Sequence, residues 1–217
     1  FLTDTSTTTN GVASIVFTTS TAAGDQFTIQ ADDDGSWDAG VFADAPQITV
    51  VPGVLDHFAV SIDSPQTTGV AFSGTCTVTA QDQYNNKITS FDGSNNVTIT
   101  ASNGGTMASN VLVAGDFVNG EADLVVKGTE YRGPGGVTIT FTATSAGPVV
   151  SGTSGNVVIN ASSTIGSITF TAPTVATDVS ADVASYTFEV DVDDPYGNPV
   201  ADGTVINWRA TVDTGSG

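Results

Sequence analysis

The stretch Tyr186–Trp208 leaves a chain of this kind few options. Phe188, Val190 and Val192 alternate with Glu189, Asp191 and Asp193, so apolar side chains recur at every second residue. That period belongs to a strand with one face in a core and one in water. Pro195-Tyr196-Gly197-Asn198-Pro199 follows. Pro fixes φ, and Gly and Asn tolerate positive φ, so the chain turns here. Val205, Asn207 and Arg209 then alternate with Ile206, Trp208 and Ala210 as a second strand. Similar short runs, separated by Gly, Asn, Asp and Pro, recur through the 217 residues, and no segment sustains a 3.6-residue apolar period. The expectation is an all-β chain.

Charge narrows the partners. The net charge of -19 arises from 23 acidic residues against Lys87, Lys127, Arg132 and Arg209. A polyanion such as nucleic acid is excluded as a partner, because nothing offsets phosphate repulsion. The acidity reads first as a solvated, self-repelling surface. Divalent cations or high external salt are the sharper readings. Cys76 is alone, so no intrachain disulfide forms, and its place in Thr75-Cys76-Thr77-Val78 suits a small buried hydrophobe. The sequence carries no signal peptide and no membrane-spanning run. Phe1-Leu2-Thr3-Asp4 reads as the start of a mature product or of one piece of a longer protein.

Three segments follow from the turn signals. Residues 1–53 hold candidate strands at Val12–Phe17, Phe27–Ala31 and Ile48–Val51, closed by Pro52-Gly53. Residues 54–162 hold seven: Asp56–Ile62, Gly74–Gln81, Asn96–Ala101, Val111–Val113, Glu121–Val126, Val137–Thr144 and Asn156–Asn160. Seven short strands in about 109 residues fit a complete immunoglobulin-like β-sandwich. Gly133-Pro134-Gly135-Gly136 reads as a hairpin turn within it. Residues 163–217 begin again, with strands expected at Ile165–Thr171, Tyr186–Val192 and Val205–Thr211.

The segments repeat one another. Asp82-Gln83-Tyr84-Asn85-Asn86 and Asp194-Pro195-Tyr196-Gly197-Asn198 share an Asp-x-Tyr-x-Asn frame, so Asp82 aligns with Asp194. Asn119-Gly120-Glu121-Ala122 likewise aligns with Asn10-Gly11-Val12-Ala13. The middle segment therefore resembles the end of the chain in its first half and the beginning in its second. Joining Gly217 to Phe1 would set Asn10 slightly closer after Tyr196 than Asn119 lies after Tyr84. Loops absorb such a difference. The architecture expected is tandem sandwiches, one complete and one split between the two chain ends. Residues 163–217 are its first half and residues 1–53 of the next repeat or subunit its second.

The joined text, Asp194-Pro-Tyr-Gly-Asn-Pro-Val-Ala-Asp-Gly-Thr-Val-Ile-Asn-Trp208 with Thr7-Thr-Thr-Asn-Gly-Val-Ala-Ser-Ile-Val-Phe17, resembles the bacterial immunoglobulin-like domains of invasin and intimin type. The middle segment is a more distant match, and Leu55-Asp56-His57-Phe58-Ala59-Val60 resembles repeats of large surface proteins. The resemblance implies extracellular or cell-surface location and a structural module of a filament or stalk, continuing or polymerising head to tail with copies of itself. Such a linear array can be covalent, or can arise by strand complementation between subunits. An adhesin module for glycans or a partner surface is one alternative. An accessory module of a secreted polysaccharide-degrading enzyme is another.

Chemistry is sparse, and the expectation is that the chain is not an enzyme. His57 is the sole histidine, and neither it nor Cys76 has an orienting third group in sight. Lys87 and Lys127, the only lysines, read as surface residues and not as isopeptide donors. Calcium is the candidate cofactor, since it takes six to eight oxygen ligands. Asp32, Asp33, Asp34 and Asp38 form one carboxylate group, and Asp191, Asp193 and Asp194 a second. Asn96 and Asn160 head glycosylation sequons. Trp208 is expected in a core, and Trp37 in the acidic loop is the aromatic open to a ligand or a neighbouring domain.

Overall fold

The computed structural model describes residues 4–35, 40–172 and 186–211. Strands account for 38% of the described residues and helix for 2%, so the fold is all-β. It divides into two compact units. The first comprises residues 1–56 with 81–88; the second takes 57–80 and 89–217.

In the first unit, β1 (Gln26–Phe27), β2 (Gln30–Asp32), β3 (Phe42–Asp44) and β4 (Ile48–Thr49) form two antiparallel ribbons, β1 with β4 and β2 with β3. Phe17 packs edge-on against Phe27 at 5.2 Å. The strand expected over Val12–Phe17 does not form. Only the bridge Thr9–Val12 closes, around Asn10 and Gly11 at φ of 52° and 80°. Beyond Val12 no neighbour among the described residues offers a ladder, and Val16 is 94% exposed. A strand without a hydrogen-bonding partner has nothing to hold it extended.

The second unit contains the core. Its elements are β5 (His57–Ile62), β6 (Gln66–Thr67), β7 (Cys76–Gln81), β8 (Val97–Ala101), β9 (Thr106–Ala108), β10 (Val111–Leu112), β11 (Phe117–Val118), β12 (Glu121–Asp123), α1 (Leu124–Lys127), β13 (Glu130–Arg132), β14 (Val137–Ile139), β15 (Phe141–Ser145), β16 (Ser151–Thr153), β17 (Val157–Asn160), β18 (Ser167–Ala172) and β19 (Glu189–Asp193). Two four-stranded sheets, β11-β12-β7-β5 and β10-β8-β15-β16, carry the alternation read in the sequence. Cys76, Val78 and Ala80 of β7 are buried, as are Val97 and Ile99 of β8 and Phe141 and Ala143 of β15, while the residues between them face outward. The two inner faces meet in one core, with Phe72 and Tyr131 edge-on to Phe141. Every fully buried apolar side chain among the described residues lies between Phe58 and Ile159.

Local chemistry departs from the expected strands at three places. Glu121–Val126 was expected as one strand, but the ladder stops at Asp123. The Asp123 carboxylate accepts from the N–H groups of Val125 and Val126, and Gly128 closes the turn in the left-handed region, so α1 forms. Val137–Thr144 is two strands with different partners: β14 joins β17, and β15 joins β8 and β16. Gly133–Gly136 is accordingly no hairpin turn, because β13 before it pairs with β9 and β14 after it with β17. Residues 205–211 form no ladder, and Trp208 is 56% exposed, its ring edge-on to Phe170 with centroids 6.1 Å apart. Its expected core place is open because no second sheet covers β18 and β19 among the described residues.

Pairing registers recur along the chain. The bridge Thr9–Val12 has its counterpart in the pair Val118–Glu121. Asn10 and Gly11 share positive φ with Asn119 and Gly120. The pairs Gln30–Asp44, Ala31–Ala43 and Asp32–Phe42 of β2 and β3 correspond to Thr142–Thr153, Ala143–Gly152 and Thr144–Ser151 of β15 and β16. The bridge Gln81–Lys87 returns in the next repeat as Asp193–Pro199.

Candidate functional site

The most fully built polar arrangement is the Asp-x-Tyr-x-Asn loop, which occurs twice. In the first unit Asp82 is 2% exposed. Its carboxylate accepts from the N–H groups of Tyr84 and Asn86, the Asn86 side-chain amide and the Gly53 N–H, all within 2.9 Å. The Asn86 amide in turn donates to the Thr21 carbonyl at 2.7 Å, and its oxygen accepts from Ala23 N–H at 2.9 Å. Asn85 supplies the left-handed residue at φ 65°. One Asp thus fixes its own turn and the chain entering the segment, and one Asn ties that turn to residues 21–23.

The second unit repeats this inside itself. Asp194 is 3% exposed and accepts from Tyr196 N–H at 2.8 Å, Asn198 N–H at 3.0 Å and the Asn198 amide. The Asn198 amide donates to the Gly133 carbonyl at 3.1 Å, and Gly133 is the repeat counterpart of Thr21. Gly197 takes the left-handed place of Asn85, at φ 78°. Tyr196 adds a long bond from its hydroxyl to Glu130, 3.5 Å.

The electrostatics follow from the donors. The Asn86 amide, then the Gly53, Asn86 and Tyr84 N–H groups, hold the Asp82 pKa down to about 2 despite burial. Burial opposes the charge of Asp194, yet the Asn198 side chain and the N–H groups of Asn198, Tyr196 and Ser162 outweigh it and keep its pKa low. Burial, then the Glu130 charge, raises the Tyr196 phenol. Both aspartates are therefore acceptor-only anions at neutral pH. An open trough of about 490 Å³ adjoins Asp82, between residues 18–21 and 50–54.

The candidates named from the sequence fall in scattered places. Asp32, Asp33 and Asp34 come together, with one potential ligand atom from each within 4.8 Å of the others. Asp32 already accepts from Asp34 and Gly35 N–H groups, and Asp33 from Val41 N–H. Asp38 and Trp37 lie outside the described residues. Asp191 and Asp193 stand on β19, whereas Asp194 is turned into its loop. Asn96 precedes β8 in the left-handed region at φ 49°, and Asn160 ends β17; both are exposed. His57 is half-buried in β5. Cys76 is 1% exposed, its thiol donates to the Ser73 carbonyl, and burial raises its pKa. Lys127 pairs with Asp116 at 2.7 Å. No helix among the described residues is long and apolar enough to cross a membrane.

Sequence reasoning found the Asp-x-Tyr-x-Asn frame only as a repeat marker and grouped Asp194 with possible metal ligands. The signal for its actual bonding was present: Asp two residues before Tyr and four before Asn is a side chain in reach of its own turn.

A second feature is apolar. Ile168, Phe170, Phe188 and Trp208 of the second unit are 50–57% exposed, and Ile15 of the first is 54% exposed. Their counterparts in the repeat include Phe58 for Phe170, Cys76 for Phe188 and Leu124 for Ile15, which are 2%, 1% and 0% exposed.

No protein-family model matches the chain, so the likeness to invasin-type domains rests on the residues quoted for it alone. No curated protein matches it. Among solved structures it is similar to domains 1–6 of the surface layer protein SbsC, at 18% identity and a TM-score of 0.31 over 89% of this chain, which spans 24% of that one.

Proposed function

We propose that the chain is a structural module of an extracellular filament or cell-surface stalk, built of tandem immunoglobulin-like sandwiches that continue head to tail. Residues 54–162 are the complete sandwich, and residues 1–53 and 163–217 are the two halves of another. The observation that carries this reading is the recurrence of pairing registers. Strands β2 and β3 pair as β15 and β16 do, and the turn at Asn10-Gly11 repeats that at Asn119-Gly120. Yet the apolar faces buried in the middle sandwich stand open in both end segments. A module of this kind works mechanically: each sandwich is a spacer, and the bonding at its ends sets how freely the array bends. The Asp-x-Tyr-x-Asn loops suit that task, since in each an Asn amide held by a buried carboxylate ties the turn to the segment before it.

The test is the mass and form of the native material. Denaturing gels of the source should give a band or ladder far above 21.9 kDa for a covalent array, or a band near that mass from visible polymers for a non-covalent one. Native material that is monomeric at that mass and featureless in micrographs would sink the filament reading.

A further inference from the structure

We infer that the open face of β18, β19 and Trp208 is an interface whose occupant is residues 12–33 of a second copy of this chain, paired in the register of the middle sandwich. This rests on the modular reading above and makes it specific.

The middle sandwich supplies the template. There β12 lies on the free edge of β7, with Glu121 opposite Thr79, Ala122 opposite Val78 and Asp123 opposite Thr77. Carried onto the end segments by the repeat alignment, these become Val12 opposite Asp191, Ala13 opposite Val190 and Ser14 opposite Glu189. On the other sheet β15 lies along β8, Ala143 opposite Ile99. The counterpart sets Ala31 against residues 205–211, where Ile206 and Trp208 repeat the apolar alternation of the buried Val97 and Ile99.

The faces are complementary in what each lacks. The backbone of residues 13–19 has no ladder; β19 pairs with β18 and beyond it makes only the bridge Asp193–Pro199, so its edge from Glu189 to Asp191 is open among the described residues. Ile15 would enter the place of Leu124, under Phe170 and Phe188. No apolar side chain of residues 4–53 is fully buried among those described, and none of 163–172 or 186–211. A sheet with one uncovered apolar face is half a sandwich. One position differs. Ala43 stands where the template has Gly152, whose added Cβ would lie 1.7 Å from the Phe58 carbonyl. In the completed sandwich β3 therefore stands further from Phe170 than β16 does from Phe58.

The register can be tested without touching the apolar face. Ala80 N–H bonds the Gly120 carbonyl, so the pair Asp123–Thr77, three residues along, is a non-hydrogen-bonded pair. In such pairs the Cα atoms are about 4.5 Å apart, within disulfide reach. The full chain carrying Ser14→Cys and Glu189→Cys is oxidised at increasing protein concentration and run on non-reducing gels beside light scattering. Cys76 is buried and stays in place. A ladder of disulfide-linked multimers is expected, at least tenfold stronger than from Ser14→Cys with Asp193→Cys, four residues out of register. A closed monomer, linked within one chain, would overturn the second copy as occupant. Polymers that scatter but do not cross-link would overturn this register and leave the filament reading standing. Monomers without cross-links at the highest concentration would overturn both for this chain.

Discussion

Asp82 and Asp194 show how one side chain can set the pH range over which a fold is stable. Asp82 has a folded pKa of about 2, below the roughly 3.9 of an unfolded aspartate. A depressed carboxylate contributes stability that is complete above the unfolded value and is lost as pH falls through the folded one. Melts of the chain between pH 5 and pH 2 should therefore fall steeply below about pH 4. Asp82→Asn should flatten that slope, and an unchanged slope would show that Asp82 is not the titrating group. Asn198 makes a complementary prediction. Its amide joins Asp194 to the Gly133 carbonyl, so Asn198→Ala strips two acceptors at once. A loss of about 1–3 kcal/mol in denaturant unfolding is expected. Restoring the amide one methylene further out, with Asn198→Gln, should recover only part of it.

At the scale of elements, what alternates in sequence was legible and what depends on a partner was not. Strands β5, β7, β8, β15 and β17 fall where period-2 patterning put them, because each buries one face whatever its neighbour. The short strands β6, β9, β11, β13 and β16 were missed. With two or three residues each, they exist only because a ladder partner lies beside them. Val12–Phe17 and Val205–Thr211 fail in the opposite sense: the pattern is right, but no ladder partner lies beside them among the described residues. Asp123 is the clearest local lesson, since a cap outweighed three β-branched or apolar residues in continuing the strand. Asp123→Ala should cost about 1 kcal/mol. Gly152 in β16 carries the matching prediction for packing. An added Cβ would strike the Phe58 backbone, which cannot swing aside, so Gly152→Ala should destabilise by about 3 kcal/mol in a thermal or urea melt. A neutral result would mean that β5 and β16 can separate without loss.

Charge acts on the whole molecule, and it opposes the assembly proposed for the apolar faces. Of the 23 acidic residues, 15 lie in segments 1–53 and 163–217, whereas Arg209 is the only basic residue there. Bringing those segments of two copies together sets one strongly negative half against another. The strands proposed to meet offer Val12, Ala13 and Ser14 to Glu189, Asp191 and their neighbours, so no ion pair across that edge relieves the repulsion. What remains attractive is apolar burial and backbone pairing, neither of which salt screens. Counter-ions should therefore shift the balance. The Debye length shrinks from about 30 Å at 0.01 M to about 10 Å at 0.1 M, shorter than a sandwich is long. Sedimentation velocity of the chain across that range should show head-to-tail multimers appearing as sodium chloride rises, with most of the change complete by about 0.1 M. Calcium at equal ionic strength separates screening from specific binding. If it does no more than sodium, the cluster Asp32–Asp34 acts as bulk charge alone; a further shift abolished by Asp33→Asn with Asp34→Asn would assign it a resident ion. Association that weakens with salt would instead require attractive charge pairs at the interface, and the pairing proposed here contains none.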